Sequence, residues 1–437
     1  MSPPAPEEPR RTLEHVLPGE AATVRAAHAA LREERRGLRA LWPFLGPAFI
    51  ASVAYVDPGN FATALAAGSE FGYLLLWVVL AANLMAMLVQ TLSAKLGIAT
   101  GKSLPELCRD ELPRPVALGL WLQAEAMAMA TDLAEVLGAA LGIHLLFGLP
   151  LTAAGLVAGG AAFAILALQR HGFRRLEAVI AGFVGVIVAS FAFEIVLAKP
   201  DGAEVARHLL VPGLAGQESA LLAAGILGAT LMPHVVYLHS ALTQNRIVGR
   251  NTIELRKIQR FERVDVILAM GIAGLVNIAM LVTFAAFFHG KGLESIPDAF
   301  RGLEDEAGRG AALLFGIALL ASGLSSASVG TLSGQIVMQG FLRRQIPLFL
   351  RRAVTLAPAL AIIAAGVDPS RVLVLSQVVL SFGIPFALVP LLAFTRRRDL
   401  MGALANTRPT NAAAALVTAV VVALNLYLLY ESFLASR

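Results

Sequence analysis

Cysteine and charge are both scarce in this sequence. Its 437 residues include one cysteine, Cys108, so neither an intramolecular disulfide nor a cluster of metal-binding thiolates can form. Only 15% of the residues are charged, whereas 57% are hydrophobic. That apolar share is higher than the roughly 45–50% of soluble domains. The balance indicates a multi-pass membrane protein in which a spare loop thiol has no redox role.

Sequence motifs for nucleotide binding and for metal-dependent hydrolysis are missing as well. No glycine-rich phosphate loop ends in Lys and Ser or Thr, which argues against ATP as an energy source. No His-Glu-x-x-His pattern occurs either, which argues against a membrane-embedded metalloenzyme. We therefore expect no cofactor. Residues 1–43 contain no apolar core of the signal-peptide type and are interpreted as a cytosolic N-terminal tail.

Long apolar runs predict eleven membrane-spanning helices, since about 20 residues suffice to cross a bilayer. The predicted spans are 44–67, 71–97, 115–146, 150–168, 176–198, 218–244, 263–289, 310–340, 353–366, 370–395 and 411–434. The lipid bilayer is thus an expected partner along most of the chain.

Basic residues lie mainly in alternate loops between these spans. Six of them fall in the segment from Arg246 to Arg263 alone. Because loops rich in Lys and Arg stay in the cytosol, the N-terminus is predicted to be cytosolic and the C-terminus extracellular or periplasmic. The net charge of +5 then reflects topology, and no nucleic-acid partner is expected. The lack of a transit peptide and of long extramembrane domains favours a bacterial plasma (inner) membrane.

Two of the predicted spans are interrupted near their middle. Residues 57–60 (DPGN) interrupt the first span, and residues 232–234 (MPH) interrupt the sixth. Proline breaks a helix, and non-helical backbone at membrane depth is tolerated only where protein or a watery cavity surrounds it. The breaks fall in the first helix of each of two five-helix repeats, 44–198 and 218–395, with 411–434 outside them. Paired broken helices in inverted repeats indicate a transporter with its substrate site at the membrane midplane.

Side chains at the two breaks offer ligands for a cation. Asp57 supplies an anionic oxygen, Asn60 an amide oxygen and Met232 a thioether sulfur. Unwound backbone near Ala54 and Ala229 would add carbonyl oxygens. Oxygen ligands alone suit Mg²⁺ or Ca²⁺, whereas thioether sulfur favours transition metals. Met232 would otherwise fill a gap in the core, but its place beside the break favours the role of a ligand.

Residues 57–60 and 232–234 resemble the two signature motifs of the Nramp family of divalent metal transporters. The resemblance covers nearly the whole membrane region, including residues 45–47 (LGP), 130–135 (ATDLAE) and 239–244 (HSALTQ). It implies an all-α, LeuT-like fold of two inverted five-helix repeats plus an eleventh helix, and proton-coupled import of Mn²⁺ or Fe²⁺ by alternating access. The metal ligands that it implies are Asp57, Asn60, Met232 and the Ala54 carbonyl, joined in particular conformations by the Ala229 carbonyl and the Gln377 amide.

Ionisable residues inside the spans predict a route for protons. Glu125, Asp132 and Glu135 are seven and three residues apart, which places them along one helical face. The resemblance implies that protons move through Asp57, His234, Asp132 and Glu135, with Arg351, Arg352 and Arg246 along the inward route. The alternative for these acids and arginines is an ion-pair network that holds the helices together. For His239, a hydrogen-bonded packing role is favoured.

Two other functions remain open on the sequence. A LeuT-fold symporter of an organic substrate, such as an amino acid, would present helix N-termini to a carboxylate, which Asp57 would repel. An uncoupled divalent-metal transporter or channel would use the same residues as a proton symporter. The sequence does not distinguish coupled from uncoupled transport.

Overall fold

The computed structural model describes residues 21–33, 37–167, 173–293, 295–344 and 347–430, and within these ranges every regular element is a helix. The α-helices are α1 (Ala21–Leu31), α2 (Leu38–Leu41), α3 (Pro47–Val53), α4 (Pro58–Phe71), α5 (Leu76–Thr100), α6 (Leu104–Glu111), α7 (Arg114–Phe147), α8 (Leu151–Ala167), α9 (Phe173–Ala198), α10 (Gly202–Leu210), α11 (Gly216–Thr230), α12 (Pro233–Thr243), α13 (Thr252–Phe288), α14 (Ile296–Ala307), α15 (Arg309–Leu342), α16 (Leu348–Ala364), α17 (Pro369–Thr395), α18 (Arg398–Met401) and α19 (Arg408–Tyr430). Short 3-10 turns span Trp42–Phe44, Ala54–Val56 and Gly402–Leu404.

The apolar helices correspond to the predicted spans one by one. In the described ranges, eight helical segments are long and apolar enough to cross a membrane, and Gly216–Thr243 with its central break is one of them. Three shorter apolar segments, Pro47–Val56, Leu151–Ile165 and Val354–Ala364, fall within the predicted first, fourth and ninth spans. Helix α19 ends at Tyr430, so residues 431–434 of the last predicted span lie outside the described part. The bounds of the two repeats stay a prediction.

The first break follows from proline and from an aspartate that caps the next helix. Helix α3 ends at Val53, a 3-10 turn spans Ala54–Val56, and α4 begins at Pro58. Proline at a first helical position loses no hydrogen bond, because that amide would be unpaired anyway. Asp57 has an extended backbone, and its side chain accepts the backbone N–H of Asn60. One residue therefore ends the turn and starts the second half-helix, α4.

Neighbouring helices satisfy the carbonyl groups that the first break exposes. Asn277 Nδ2 of α13 donates to the Tyr55 carbonyl at 2.9 Å. Ser322 Oγ of α15 donates to the Val56 carbonyl at 2.7 Å. A buried carbonyl without a partner is costly, so these two bonds stabilise the unwound segment.

The second break has the same construction. Helix α11 ends at Thr230, and Leu231 and Met232 leave the helical conformation. Helix α12 then begins at Pro233. Both breaks predicted from the prolines are confirmed.

Glycines allow α17 to approach both breaks closely. A methyl group on Gly59 would lie 2.0 Å from Gln377 Nε2, and one on Gly228 would lie 1.8 Å from the Gln377 carbonyl oxygen. Real side chains do not approach so closely, so at Gly228, where the obstacle is backbone, only glycine fits, and at Gly59 a larger residue would push the Gln377 side chain away. Gln377 is thereby wedged between α4 and α11.

Helix α13 begins earlier than the predicted seventh span. Its first residue is Thr252, capped by Asn251, whose side chain accepts the Glu254 N–H at 2.9 Å. Hydropathy detects only the apolar part of a helix, so the polar first turns were missed. Glu262 and Asp265 are consequently helical and buried.

Cys108 is not the loop thiol predicted from the sequence. It lies in α6, between two spans, and is completely buried. Burial raises the pKa of the Cys108 thiol. Because the thiolate is the reactive form, this environment fits the expectation of no redox role.

Candidate metal-ion site

Asp57 presents one carboxylate oxygen without a partner at the centre of the protein. Its side chain is fully buried. Oδ1 accepts the Asn60 backbone N–H at 2.9 Å and Asn60 Nδ2 at 2.8 Å. Oδ2 has no hydrogen-bond partner among the described residues. A buried, half-satisfied carboxylate is expensive in an apolar interior, which is the property expected of a cation ligand.

Asn60 connects the two broken helices. Its Nδ2 donates to Asp57 Oδ1 and, at 3.2 Å, to the Ala229 carbonyl at the end of α11. The amide nitrogen is thus used twice, which leaves the amide oxygen as the atom that can bind a cation. The two breaks predicted to form one site therefore meet in space.

The remaining predicted metal ligands are buried and lie in or against the same two breaks. Met232, Ala54 and Ala229 are each buried, with at most 1% of their surface exposed. Gln377 is also fully buried, and its Oε1 has no partner among the described residues. Five of the six predicted ligands thus belong to the two breaks, and the sixth packs against them. All six residues are buried, with at most 5% of their surface exposed.

A small cavity with both polar and apolar lining residues adjoins Asn60. Its volume is about 10 Å³, close to the minimum that holds one water molecule. Its polar lining comes from Asn60, Thr63, Thr230 and Asn277. Polar groups on three helices thus line a space on the α4 side of the break.

The histidine of the second break faces the acidic face of α7. His234 is buried, and its Nδ1 lies 3.2 Å from Thr131 Oγ1. Its Nε2 has no partner among the described residues. Thr131 directly precedes Asp132, so the break and the acids of α7 are adjacent.

Asp132 and Glu135 are both buried and point towards the same spot on α15. A methyl group on Gly330 would lie 2.7 Å from Glu135 Oε2 and 3.1 Å from Asp132 Oδ1. The predicted common face of these two acids is confirmed, whereas Glu125, about two turns earlier in α7, is only half-buried. Gly330 leaves room for two carboxylates between α7 and α15.

Of the three arginines predicted along the inward route, the side chains of Arg351 and Arg352 lie outside the described residues. The third, Arg246, sits next to the segment that precedes α3. Its guanidinium donates to the carbonyls of Phe44 and Leu45 at 3.4 Å each. Its Nη2 also lies 3.9 Å from Glu177 Oε1. Arg246 thus links α9 to the start of the first span, and its part in proton movement stays a prediction.

A buried hydrogen-bonded chain, termed the inner closure, lies on the side of Asp57 that is predicted to be cytosolic. His239 Nδ1 lies 2.9 Å from Gln90 Oε1, and its Nε2 lies 3.2 Å from Glu262 Oε1. Gln90 in turn donates to the Tyr55 hydroxyl. The packing role favoured for His239 is confirmed, because both ring nitrogens have partners.

Asp265 also belongs to the inner closure, because it binds the beginning of α3. This residue was not singled out in the sequence. Its Oδ2 accepts the N–H groups of Gly46 at 3.1 Å and Ala48 at 2.9 Å, at the beginning of α3. Asp265 also lies three residues after Glu262, and two acids at that spacing at the start of an apolar run are a signal of function. Gln90 and Asn277 carried no such signal, since single amides in long helices have no characteristic spacing.

The site differs from a metal centre of His, Cys, Asp and Glu. Across the described ranges, no group of three such residues could hold a metal ion. One carboxylate, amide and carbonyl oxygens and one thioether suit a cation that must leave again. Two half-helices that meet at such a carboxylate define a membrane transporter of LeuT-like fold, not an enzyme.

Comparisons with known proteins identify the family. The family model "Natural resistance-associated macrophage protein-like", or Nramp, matches residues 48–431, so the chain belongs to the Nramp family. It is similar to the divalent metal cation transporter MntH of Bacillus subtilis (strain 168), with 54% identity over 411 residues, 94% of this chain and 97% of that protein.

Solved structures agree with this assignment. The Eremococcus coleocola manganese transporter, crystallised with an aromatic bis-isothiourea compound, aligns with a TM-score of 0.82 at 32% identity, over 92% of this chain and 90% of that one. Mhp1, a nucleobase-cation-symport-1 family transporter, aligns with a TM-score of 0.61 at 15% identity, over 89% and 94%. The second likeness shows the fold alone. The LeuT-like fold predicted from the sequence is confirmed.

Proposed function

We propose that this chain imports divalent transition-metal ions, Mn²⁺ and Fe²⁺, into the cytosol across a bacterial plasma membrane, coupled to protons. The observation that carries the proposal is Oδ2 of Asp57, which is buried where two broken helices meet and has no hydrogen-bond partner within the described ranges. The names of the relatives, a divalent metal cation transporter and a manganese transporter, support the same substrate class.

The ligand types favour a transition metal. Asp57 and Asn60 offer oxygen, and the Ala54 and Ala229 carbonyls lie at the ends of the half-helices that the breaks create. Gln377 lies against Gly59, and its amide oxygen has no hydrogen-bond partner in the described part of the chain. Only Met232 supplies sulfur, a ligand that Mg²⁺ and Ca²⁺ bind poorly. Selectivity against these abundant ions is therefore assigned to Met232.

Proton coupling follows from the charge of the same carboxylate. A cation at Asp57 favours its ionised form, so metal binding releases a proton and protonation opposes metal binding. His234 lies in the same break and contacts Thr131, next to Asp132. Asp132 and Glu135 continue from there along α7. These groups offer a proton route along α7.

Alternating access requires the inner closure to open. In this conformation Asp265 caps the beginning of α3, and Arg246 holds the residues just before it. Release of these contacts would let α3 swing away and connect Asp57 to the predicted cytosolic face. An inside-negative potential drives the ion inward by about 2.3 kcal/mol per charge per 100 mV.

The proposal is tested by Mn²⁺ uptake into proteoliposomes that contain the purified full-length chain. A pH dye inside reports proton movement, and excess Ca²⁺ or Mg²⁺ outside acts as competitor. We expect Mn²⁺ uptake that resists the competitor and acidifies the lumen. Uptake without acidification would refute the coupling, and uptake abolished by Mg²⁺ would refute the transition-metal substrate.

Met232→Ala should reduce discrimination against Ca²⁺ roughly tenfold while some Mn²⁺ transport remains. Loss of a metal ligand is expected to lower metal affinity at least as much as loss of a residue that supports a ligand, which is about 10-fold or more. The measurement is Mn²⁺ uptake at increasing external Ca²⁺. Met270→Ala is the control, since Met270 is equally buried in α13 but belongs to neither break. Unchanged discrimination in Met232→Ala, or an equal change in both variants, would reduce Met232 to a packing residue.

A further inference from the structure

A second cavity lies between α5, α13 and the segment that links α17 to α19. Its volume is about 560 Å³, within the range of small-molecule binding pockets. Three of its lining side chains are basic, namely Lys95, Arg256 and Arg263. None of the residues around it takes part in the metal site or in the predicted proton route.

The cavity is basic at one end and apolar at the other. Along α5, the lining residues Leu88 and Leu92 precede Lys95, which lies near the helix end. Helix α13 runs in the opposite direction, with Arg256 and Arg263 first and Ile267 after them. Both helices thus place their charges at the face predicted to be cytosolic and their apolar side chains towards the membrane interior.

The basic end carries charge that the described residues do not neutralise. No carboxylate within the described ranges forms an ion pair with Lys95, Arg256 or Arg263. Their mutual repulsion is unfavourable unless an anion binds between them.

The Lys95 side chain is buried and held by a hydrogen bond. Only 4% of Lys95 is exposed, and its Nζ donates to Asn406 Oδ1. Asn406 is itself fixed, since its Nδ2 donates to Thr395 Oγ1 and Asn411 Oδ1 at 2.9 Å each. Lys95 therefore differs from a solvated surface lysine, because its position is fixed by hydrogen bonds. A fixed ammonium group lowers the ordering cost of binding an anion at the basic end.

The cavity is also open beside the predicted seventh span. Within that span Ile267 is 51% exposed, and Arg263, one turn away, is exposed as well. A ligand that enters between these residues must have both a charged and an apolar part. Basic pockets between transmembrane helices on the cytoplasmic side are typical binding sites for anionic lipid headgroups.

We propose that this cavity binds an anionic phospholipid of the inner leaflet, with its phosphate between Lys95, Arg256 and Arg263 and the start of an acyl chain along Leu88, Leu92 and Ile267. A free phosphate would satisfy the basic end alone. The apolar end and its opening towards the bilayer select the lipid instead.

The test compares lipid binding by two charge-matched double variants of the full-length protein. Arg256→Gln with Arg263→Gln removes two charges from the cavity. Arg250→Gln with Arg260→Gln removes two exposed charges from the same face outside it. Native mass spectrometry measures binding of dioleoylphosphatidylglycerol, with dioleoylphosphatidylcholine as the neutral comparison lipid. Equal elution on gel filtration and equal thermal unfolding without added lipid show that both variants are folded.

We expect the cavity variant to bind phosphatidylglycerol about 30-fold more weakly, from the usual contribution of two basic residues to anionic lipid binding. The control variant should bind it like the wild type, and millimolar inorganic phosphate should not displace it. Equal weakening in both variants would mean general surface attraction and would overturn the proposal. Displacement by phosphate, or equal binding of phosphatidylcholine, would overturn it as well.

Discussion

Asp57→Asn should lower metal uptake by about 100-fold or more. Replacement of residues that merely support a metal site already lowers metal affinity by about 10–100-fold. The substitution is nearly isosteric, and the asparagine oxygen can still accept the Asn60 N–H that Oδ1 accepts now. The helix cap and the fold are therefore retained. What changes is Oδ2, the unpartnered oxygen, which becomes an amide that donates and cannot bind a cation.

The measurement is initial Mn²⁺ uptake in proteoliposomes, together with Mn²⁺ binding by calorimetry. Glu194→Gln is the matched control, because Glu194 in α9 is an equally buried carboxylate without a partner among the described residues and belongs to neither break. It should transport Mn²⁺ normally. Wild-type uptake by Asp57→Asn would refute the central site, and equal loss in both variants would mean that any buried carboxylate is needed for folding.

The two breaks could be predicted from the sequence because their causes are local. Proline at residues 58 and 233 cannot continue a helix, and Asp57 is an acid in an apolar run. Hydropathy located the spans for the same reason, since each span is one contiguous segment. The ligand types at the breaks then indicated the chemistry of the site.

The inner closure could not be predicted in this way, because the residues that bind one another there come from distant parts of the chain. Gln90 and Glu262 meet at His239, and Asp265 reaches the backbone of Gly46. Even for Glu262 and Asp265, whose spacing is a signal of function, the partner of each side chain depends on which helix packs opposite. Hydropathy also cut α13 short, so the segment that carries Glu262 was assigned to a loop.

Close helix packing behind the site leads to a prediction for Gly138→Ala. A methyl group on Gly138 would lie 2.1 Å from Pro58 Cβ and 2.2 Å from Pro58 Cγ. The proline ring is rigid and cannot turn aside. Helix α7 cannot retreat either, because on another face a methyl group on Gly323 of α15 would lie 2.6 Å from the Ala139 backbone nitrogen. The added methyl must therefore displace Pro58 and, with it, the neighbouring Asp57.

We expect Gly138→Ala to lower Mn²⁺ uptake by about 100-fold, since displacement of a reacting group by 1 Å can cost that much. Overpacking should also destabilise the protein by about 1–3 kcal/mol. Gly185→Ala in α9 is the control, because a methyl group there meets nothing within 4 Å. In that helix alanine should be neutral or stabilising by up to ~1 kcal/mol. Thermal unfolding and Mn²⁺ affinity are measured for both variants. Wild-type affinity and uptake in Gly138→Ala would contradict this prediction. They would mean that α4 can move relative to α7 without moving the Asp57 carboxylate, and that Asn60 and α11 alone position Asp57.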